Sequence, residues 1–97
     1  MGKKEEYLKK FTVQLSEWGG KIEEFKKKAD KALAETKSEF SRHIKELEHK
    51  KETVSLKIKE IKEAGSDAWE HLKEGLEKAT DDFKHTLISM KERFKQK

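Results

Sequence analysis

Apolar residues recur along this chain at alternating intervals of three and four, beginning Leu8, Phe11, Leu15, Trp18, Ile22, Phe25 and Ala29. That spacing is the seam of a helix that lays one apolar stripe against another helix. A step of four then leads to Leu33, a stutter in the heptad. The seam continues through Lys37, Phe40, Ile44, Leu47, Lys51, Val54, Ile58 and Ile61, passes Gly65, and resumes with Ala68 and Leu72. A second stutter carries it to Leu76, Thr80, Phe83, Leu87, Met90 and Phe94. All five phenylalanines lie on it, a placement that a disordered polyampholyte has no reason to adopt. Away from the seam, pairs such as Glu5/Lys9, Glu24/Lys28 and Glu74/Lys78 put Glu four residues ahead of Lys. Each adds about 0.2–0.5 kcal/mol to a helix without specifying a partner.

The main interruption is Ala64-Gly65-Ser66-Asp67-Ala68-Trp69. Gly65 suits the position just past a helix end, and Ser66 or Asp67 can cap the next helix, with Glu70 three residues after Asp67. The pattern predicts an all-α chain: a long helix over residues 4–64 and a shorter one over 67–95. The shorter folds back on the longer as an antiparallel coiled-coil hairpin, so that Leu72 faces Ile58, Leu76 faces Val54, Phe83 faces Leu47 and Met90 faces Phe40. Residues 1–97 form one helical domain with its hinge at Gly65, Ser66 and Asp67. The competing reading is one unbroken rod of about 145 Å, because Ile61, Gly65 and Ala68 keep the heptad phase. Gly19-Gly20 is the other weak point, read as a kink or a straight passage rather than a turn because Trp18 and Ile22 stay in phase across it.

Such a hairpin leaves the first third of the seam uncovered. Large apolar side chains are worth about 1.5–3 kcal/mol each when buried, so a second copy is expected to cover them. The result is a homodimer or higher homo-oligomer that completes a helical bundle. The association seam is Leu8, Phe11, Leu15, Trp18, Ile22, Phe25, Leu33, Phe40, Phe83 and Phe94. Lys37 and Lys51, also on the seam, read as bundle-edge residues whose ammonium groups reach water over apolar neighbours.

Composition narrows the chemistry. At 32% hydrophobic and 45% charged, the chain has little material for a large private core. There is no cysteine and no proline, so disulfides and thiolate metal sites are excluded and nothing forbids long helices. The net charge of +4 comes from charges mixed throughout, with 8 basic and 6 acidic groups in residues 1–30, 9 and 7 in 31–64, and 7 and 7 in 65–97. No one-sided basic stripe marks a nucleic-acid binder, and the basic tail from Lys84 suits a helix C-terminus. Neither a signal peptide nor a membrane span is evident, so a cytoplasmic location is expected.

Glu46/His49 and Asp82/His85 have the carboxylate–histidine spacing of di-iron bundles. With Leu47 and Phe83 on the seam, however, both pairs point away from the core, and His43 and His71 lie at its edge. No catalytic, cofactor or metal site is expected, and no nucleophile or glycine-rich phosphate loop suggests an enzyme. A peripheral membrane or lipid-binding role is the alternative: residues 67–94 form an amphipathic segment with Trp69, Phe83 and Phe94 near its apolar face.

The run from Leu15 through Trp18 and Ile22 to Lys31, the helix ending Ile58-Lys59-Glu60-Ile61-Lys62-Glu63-Ala64, and above all Gly65-Ser66-Asp67-Ala68-Trp69-Glu70-His71-Leu72-Lys73 with Gly75-Leu76 resemble the small bacterial coiled-coil stress-response proteins. The distinctive element is Asp67-Ala68-Trp69-Glu70, and Gly19-Gly20 departs from the family's uninterrupted helix. The resemblance implies a bacterial, stress-associated structural or protein-interaction module, with an unidentified protein partner and no catalytic residues. The chain is also somewhat similar to the amphipathic repeats of exchangeable apolipoproteins, which is consistent with the lipid alternative.

Overall fold

A computed structural model describes residues 2–65 and 67–95, with side chains as far as Arg93. They form three helices, α1 (Lys3–Asp30), α2 (Ala34–Glu63) and α3 (Trp69–Lys95), within an envelope of 51 × 19 × 18 Å. Lys4 near the start of α1 donates to the carbonyls of Lys62 and Ala64 at the end of α2, while Lys26 near the end of α1 meets Glu48 earlier in α2. These two helices therefore run in opposite directions. Asp82 of α3 meets Lys50, and Arg93 further along meets Glu39, so α2 and α3 also oppose each other. Tyr7 lies against Trp69 and Trp18 against Phe83, so α1 and α3 are parallel. All three stripes turn inward onto one core.

The expected helix over 4–64 is therefore two helices, parted at Lys31-Ala32-Leu33. The end of α1 tightens through bonds from Lys31 N–H to the Lys28 carbonyl (3.2 Å) and from Ala32 N–H to the Ala29 carbonyl (3.1 Å), the i to i−3 pattern common at helix ends. Leu33 is then extended, and its carbonyl accepts the first bond of α2 from Lys37 N–H at 2.7 Å. No glycine or proline marks this turn; only the stutter between Ala29 and Leu33 falls on it. Its cause is tertiary. Folding α1 back buries Leu8, Phe11, Trp18, Ile22 and Phe25, each 3–6% exposed, worth on the order of 10 kcal/mol together. Interrupting the helix forfeits a few backbone hydrogen bonds at about 1 kcal/mol each. Burial wins.

Leu33, expected on the seam, is 83% exposed because it forms the turn. At the second turn Gly65 lies past the end of α2 as expected, and among the described residues no glycine has positive φ. The helix ends with Ala64 extended (φ −74°, ψ 149°) and its N–H bonded to the Ile61 carbonyl. Asp67 and Ala68 form a turn, and α3 starts at Trp69, whose N–H reaches the Gly65 carbonyl at 3.2 Å. Ser66 and the side chain of Phe94 lie outside the described residues.

The helix passes through Gly19-Gly20 without a break. A β-carbon on Gly20 would meet nothing within 4 Å, and one on Gly19 would touch the Lys51 ammonium at 3.4 Å, an ordinary contact. Alanine is therefore sterically tolerated at both positions and is the better helix former. Gly20→Ala should raise stability by about 1 kcal/mol, read as a shift of the urea midpoint at unchanged slope.

Candidate functional site

The seam residues proposed for association are mostly the core itself. Leu8, Phe11, Trp18, Ile22, Phe25, Phe40 and Phe83 are buried, and Leu15 packs against them partly covered. Trp18 stacks on Phe83 with centroids 4.0 Å apart and planes at 16°. At the end where α1 and α3 begin, Tyr7 packs on Phe11 and Trp69 at centroid distances of 5.0 and 5.7 Å. Lys73 places its ammonium over the Tyr7 and Trp69 rings at 5.0 and 4.6 Å, a geometry in which the ring quadrupoles attract the cation. Tyr7, off the heptad seam, was not singled out from the sequence. Its position one residue before Leu8, on the flank that meets α3, becomes informative only once α3 lies alongside.

Tyr7 donates its hydroxyl to Glu77 at 3.2 Å. Burial first, then the charge and hydrogen bond of Glu77, push the phenol from 10.0 up to about 12, because each disfavours the phenolate.

Along the α2–α3 flank the charges join into one chain. Arg93 pairs with Glu39 and also places Nη1 3.0 Å from His43 Nε2. A guanidinium only donates, so Nε2 accepts, and the His43 proton sits on Nδ1, which faces Glu46 Oε2 at 3.8 Å. Glu46 continues to Lys50 at 3.1 Å, and Lys50 reaches Asp82 at 3.2 Å and the Thr86 hydroxyl at 2.7 Å. Burial alone would lower the Lys50 pKa, but Glu46 and Asp82 outweigh it and hold the ammonium above its ordinary value. The carboxylates of the two metal-like pairs thus do approach each other, with a lysine between them. Among the described residues no group of three or more His, Asp or Glu side chains is arranged to hold a metal ion. Lys37 is exposed and pairs with Asp30 at 3.8 Å, while Lys51 reaches over Gly19.

Several grooves indent the described surface. One, about 500 Å³ between α1 and α2, is lined by Leu15, Gly19 and Ile22 with Glu23, Lys26, Glu48, Lys51 and Glu52 around them. Another, about 470 Å³, lies over Leu8 and Val13 with Lys4, Lys9 and Lys62 around it. A smaller one, about 190 Å³ between α1 and α3, includes Phe11, Gln14 and Thr80. The exposed apolar side chains Val13, Leu33, Leu56 and Ile88 are distributed over α1, the first turn, α2 and α3. Single exposed residues of this kind do not form a patch. Comparison of the chain with known protein families, with curated proteins and with solved structures finds no match.

The chain contains one tyrosine, so its ionisation can be followed by absorbance without assignment. The folded protein should titrate near 12, the urea-unfolded protein near 10, and Glu77→Gln should bring the folded value down towards 10. Because the folded pKa is the higher, this contribution to stability is complete below 10 and is lost as the pH rises to about 12, since the unfolded chain gives up the proton first.

Proposed function

We propose that this chain is a non-enzymatic helical interaction module that self-associates, acting through its surface rather than through a reaction. The contacts of Lys50 with Asp82 and of Glu39 with Arg93 support reading α2 and α3 as the antiparallel coiled-coil hairpin, with α1 returned alongside as the third helix. The stress association rests on the resemblance alone, whose distinctive element is Asp67-Ala68-Trp69-Glu70.

The observation that carries the proposal is the α1–α2 groove. It has a strip of Leu15, Gly19 and Ile22 at its base, and Glu23, Glu48 and Glu52 alternate with Lys26 and Lys51 along its edges. A surface with both signs of charge around a small apolar strip can pair with itself across a two-fold axis. Leu8, Phe11, Trp18, Ile22 and Phe25, the seam residues that chiefly suggested a second copy, are buried in their own chain, so the association proposed here uses the outside of the bundle. Sedimentation equilibrium at tens of micromolar should give the mass of a dimer, and Gly19→Gln, which fills the groove, should give a folded monomer. A wild-type chain that stays monomeric with the circular dichroism of a folded bundle overturns the proposal.

The alternative is a peripheral lipid binder. It is favoured by α3 being the most strongly amphipathic of the three helices, and no described helix is long and apolar enough to cross a membrane. Trp69 and Phe83 are buried in the closed bundle, so lipid binding through this face requires α3 to come away from it. Flotation with anionic vesicles, accompanied by increased exposure of Trp18 to a soluble quencher, would identify that state.

A further inference from the structure

The turn between α1 and α2 carries none of the local devices that hold a turn closed. Lys31, Ala32 and Leu33 include no glycine or proline, and no described residue has positive φ. Leu33 occupies the N-cap of α2 without a side-chain hydrogen bond to the helix, where Ser, Thr, Asp or Asn would fasten the helix end. A helix accepts Lys, Ala and Leu readily. The chain therefore bends here for the contacts that α1 goes on to make, not for anything in the bend.

Those contacts share a centre. Lys4 with Lys62, Asp30 with Lys37, Gly19 with Lys51 and Lys26 with Glu48 pair residues that lie equally far on either side of a point between residues 33 and 37. Two copies of one long helix laid antiparallel about a two-fold axis at that level make the same pairs between chains. Leu33 stands at this centre. At 83% exposure it is the most exposed large apolar side chain among the described residues. In an unbroken helix it falls within about 40° of Ala29 and about 20° of Phe40 around the helix axis, and both of those are buried. Straightening the turn returns Leu33 to the apolar face, beside its counterpart at the two-fold axis.

We propose that two copies of this chain exchange α1. Residues 31–33 become helical, residues 3–63 form one helix of about 90 Å, and α1 of each copy packs against α2 and α3 of the other. The Trp18–Phe83 stack and the Tyr7–Trp69 contact are then made between chains, and Asp30 meets Lys37 of the opposite copy. The partner is a second copy because the surface of α2 and α3 already fits this α1, and the symmetry closes with two. The exchange does not draw on the outer groove at Gly19. It competes with the monomer once the chain concentration approaches the effective concentration of the tethered helix, in the millimolar range for a short linker.

The test is refolding from urea at about 1 mM, followed by dilution to micromolar levels, size-exclusion chromatography and small-angle scattering. It is carried out on the wild type and on Gly19→Gln, whose filled groove separates the two kinds of pairing. Both should give a dimer that outlasts dilution, because parting it requires α1 to leave the core. Its maximum dimension should be about 90 Å, against an extent of 51 Å for the folded-back chain. Ala34→Pro suits the turn, since proline is favoured at the first position of a helix and Leu33 before it already has the extended conformation proline requires (φ −64°, ψ 154°). Inside a continuous helix the same proline disfavours the exchanged form by roughly 100-fold in each chain. Leu33→Asp supplies the missing cap in the monomer and sets two carboxylates together at the dimer axis. Each variant should stay monomeric at the same concentration with the circular dichroism of the wild type, and Leu33→Asp, at an exposed position, decides alone if Ala34→Pro does not fold. The proposal is overturned if wild type and Gly19→Gln refold only to monomer, or if their dimer separates as fast as it is diluted. It is equally overturned if that dimer is no longer than the single chain, or if Leu33→Asp or a folded Ala34→Pro dimerises as the wild type does.

Discussion

The structure depends on one requirement, that the apolar stripe of every helix be covered on the side that faces the core. A stripe as narrow as a heptad seam covers one neighbour well. Two such helices close a hairpin, but each then leaves a flank of its stripe open, and α1 fills the gap left by the other two. Trp18 shows the arrangement most clearly: it is on α1, is 5% exposed, and lies flat on Phe83 of α3. No pair of helices could bury both rings on its own. The chain supplies the third helix itself, and a three-residue turn suffices because α1 and α2 are neighbours in sequence as well as in space.

The helical class, the seam and the second turn were legible because they depend on periodicity and on a local stop signal. Helix type follows from the spacing of Leu8 through Phe25 and of Phe40 through Ile61, whatever those residues pack against. The first turn was not legible in the same way. Asp30-Lys31-Ala32-Leu33 holds no residue that disfavours a helix strongly, and local propensity there is nearly neutral. The stutter at Leu33 recorded the break, but a stutter is equally compatible with a locally unwound continuous helix. Gly19-Gly20 drew attention by its composition, yet the helix runs through it, since two glycines cost about 2 kcal/mol and the packing of Trp18 and Ile22 on either side outweighs that. Of the candidate surface, the buried seam could be read residue by residue. The grooves could not, because each is made by two helices whose relative placement follows from the missed turn.

The polar features follow the same division. Glu46, Lys50 and Asp82 are ordinary members of a charged repeat until α2 and α3 meet, when Lys50 becomes the one cation between two carboxylates and a hydroxyl. Most other ion pairs among the described residues, such as Lys78 with Glu74, join residues of one helix at its solvent-facing side and contribute a few tenths of a kcal/mol at most. Charge on this molecule therefore sets solubility and the register of neighbouring helices more than the depth of the energy well. The well comes from the aromatic and aliphatic core, and Thr80, the one polar seam position inside α3, is where that core meets the cleft between α1 and α3.

The same seam permits two solutions, cover by the chain's own α1 or cover by a second copy, and concentration decides between them. A segment tethered by a short turn has an effective concentration in the millimolar range, far above that of a separate molecule at micromolar levels. Equivalent contacts are therefore made within the chain first. A second copy can compete only by exchanging α1 between chains, which needs Lys31-Ala32-Leu33 to straighten into helix, or by using surface the monomer leaves open. The turn stores no left-handed residue and is closed by ordinary backbone bonds, so straightening meets no conformational bar. What opposes it is entropy, because two separate molecules must be brought together to recover the contacts that one already makes. An association that adds to this fold must therefore gain its energy outside the core, and the groove beside Gly19 is where two helices leave such space.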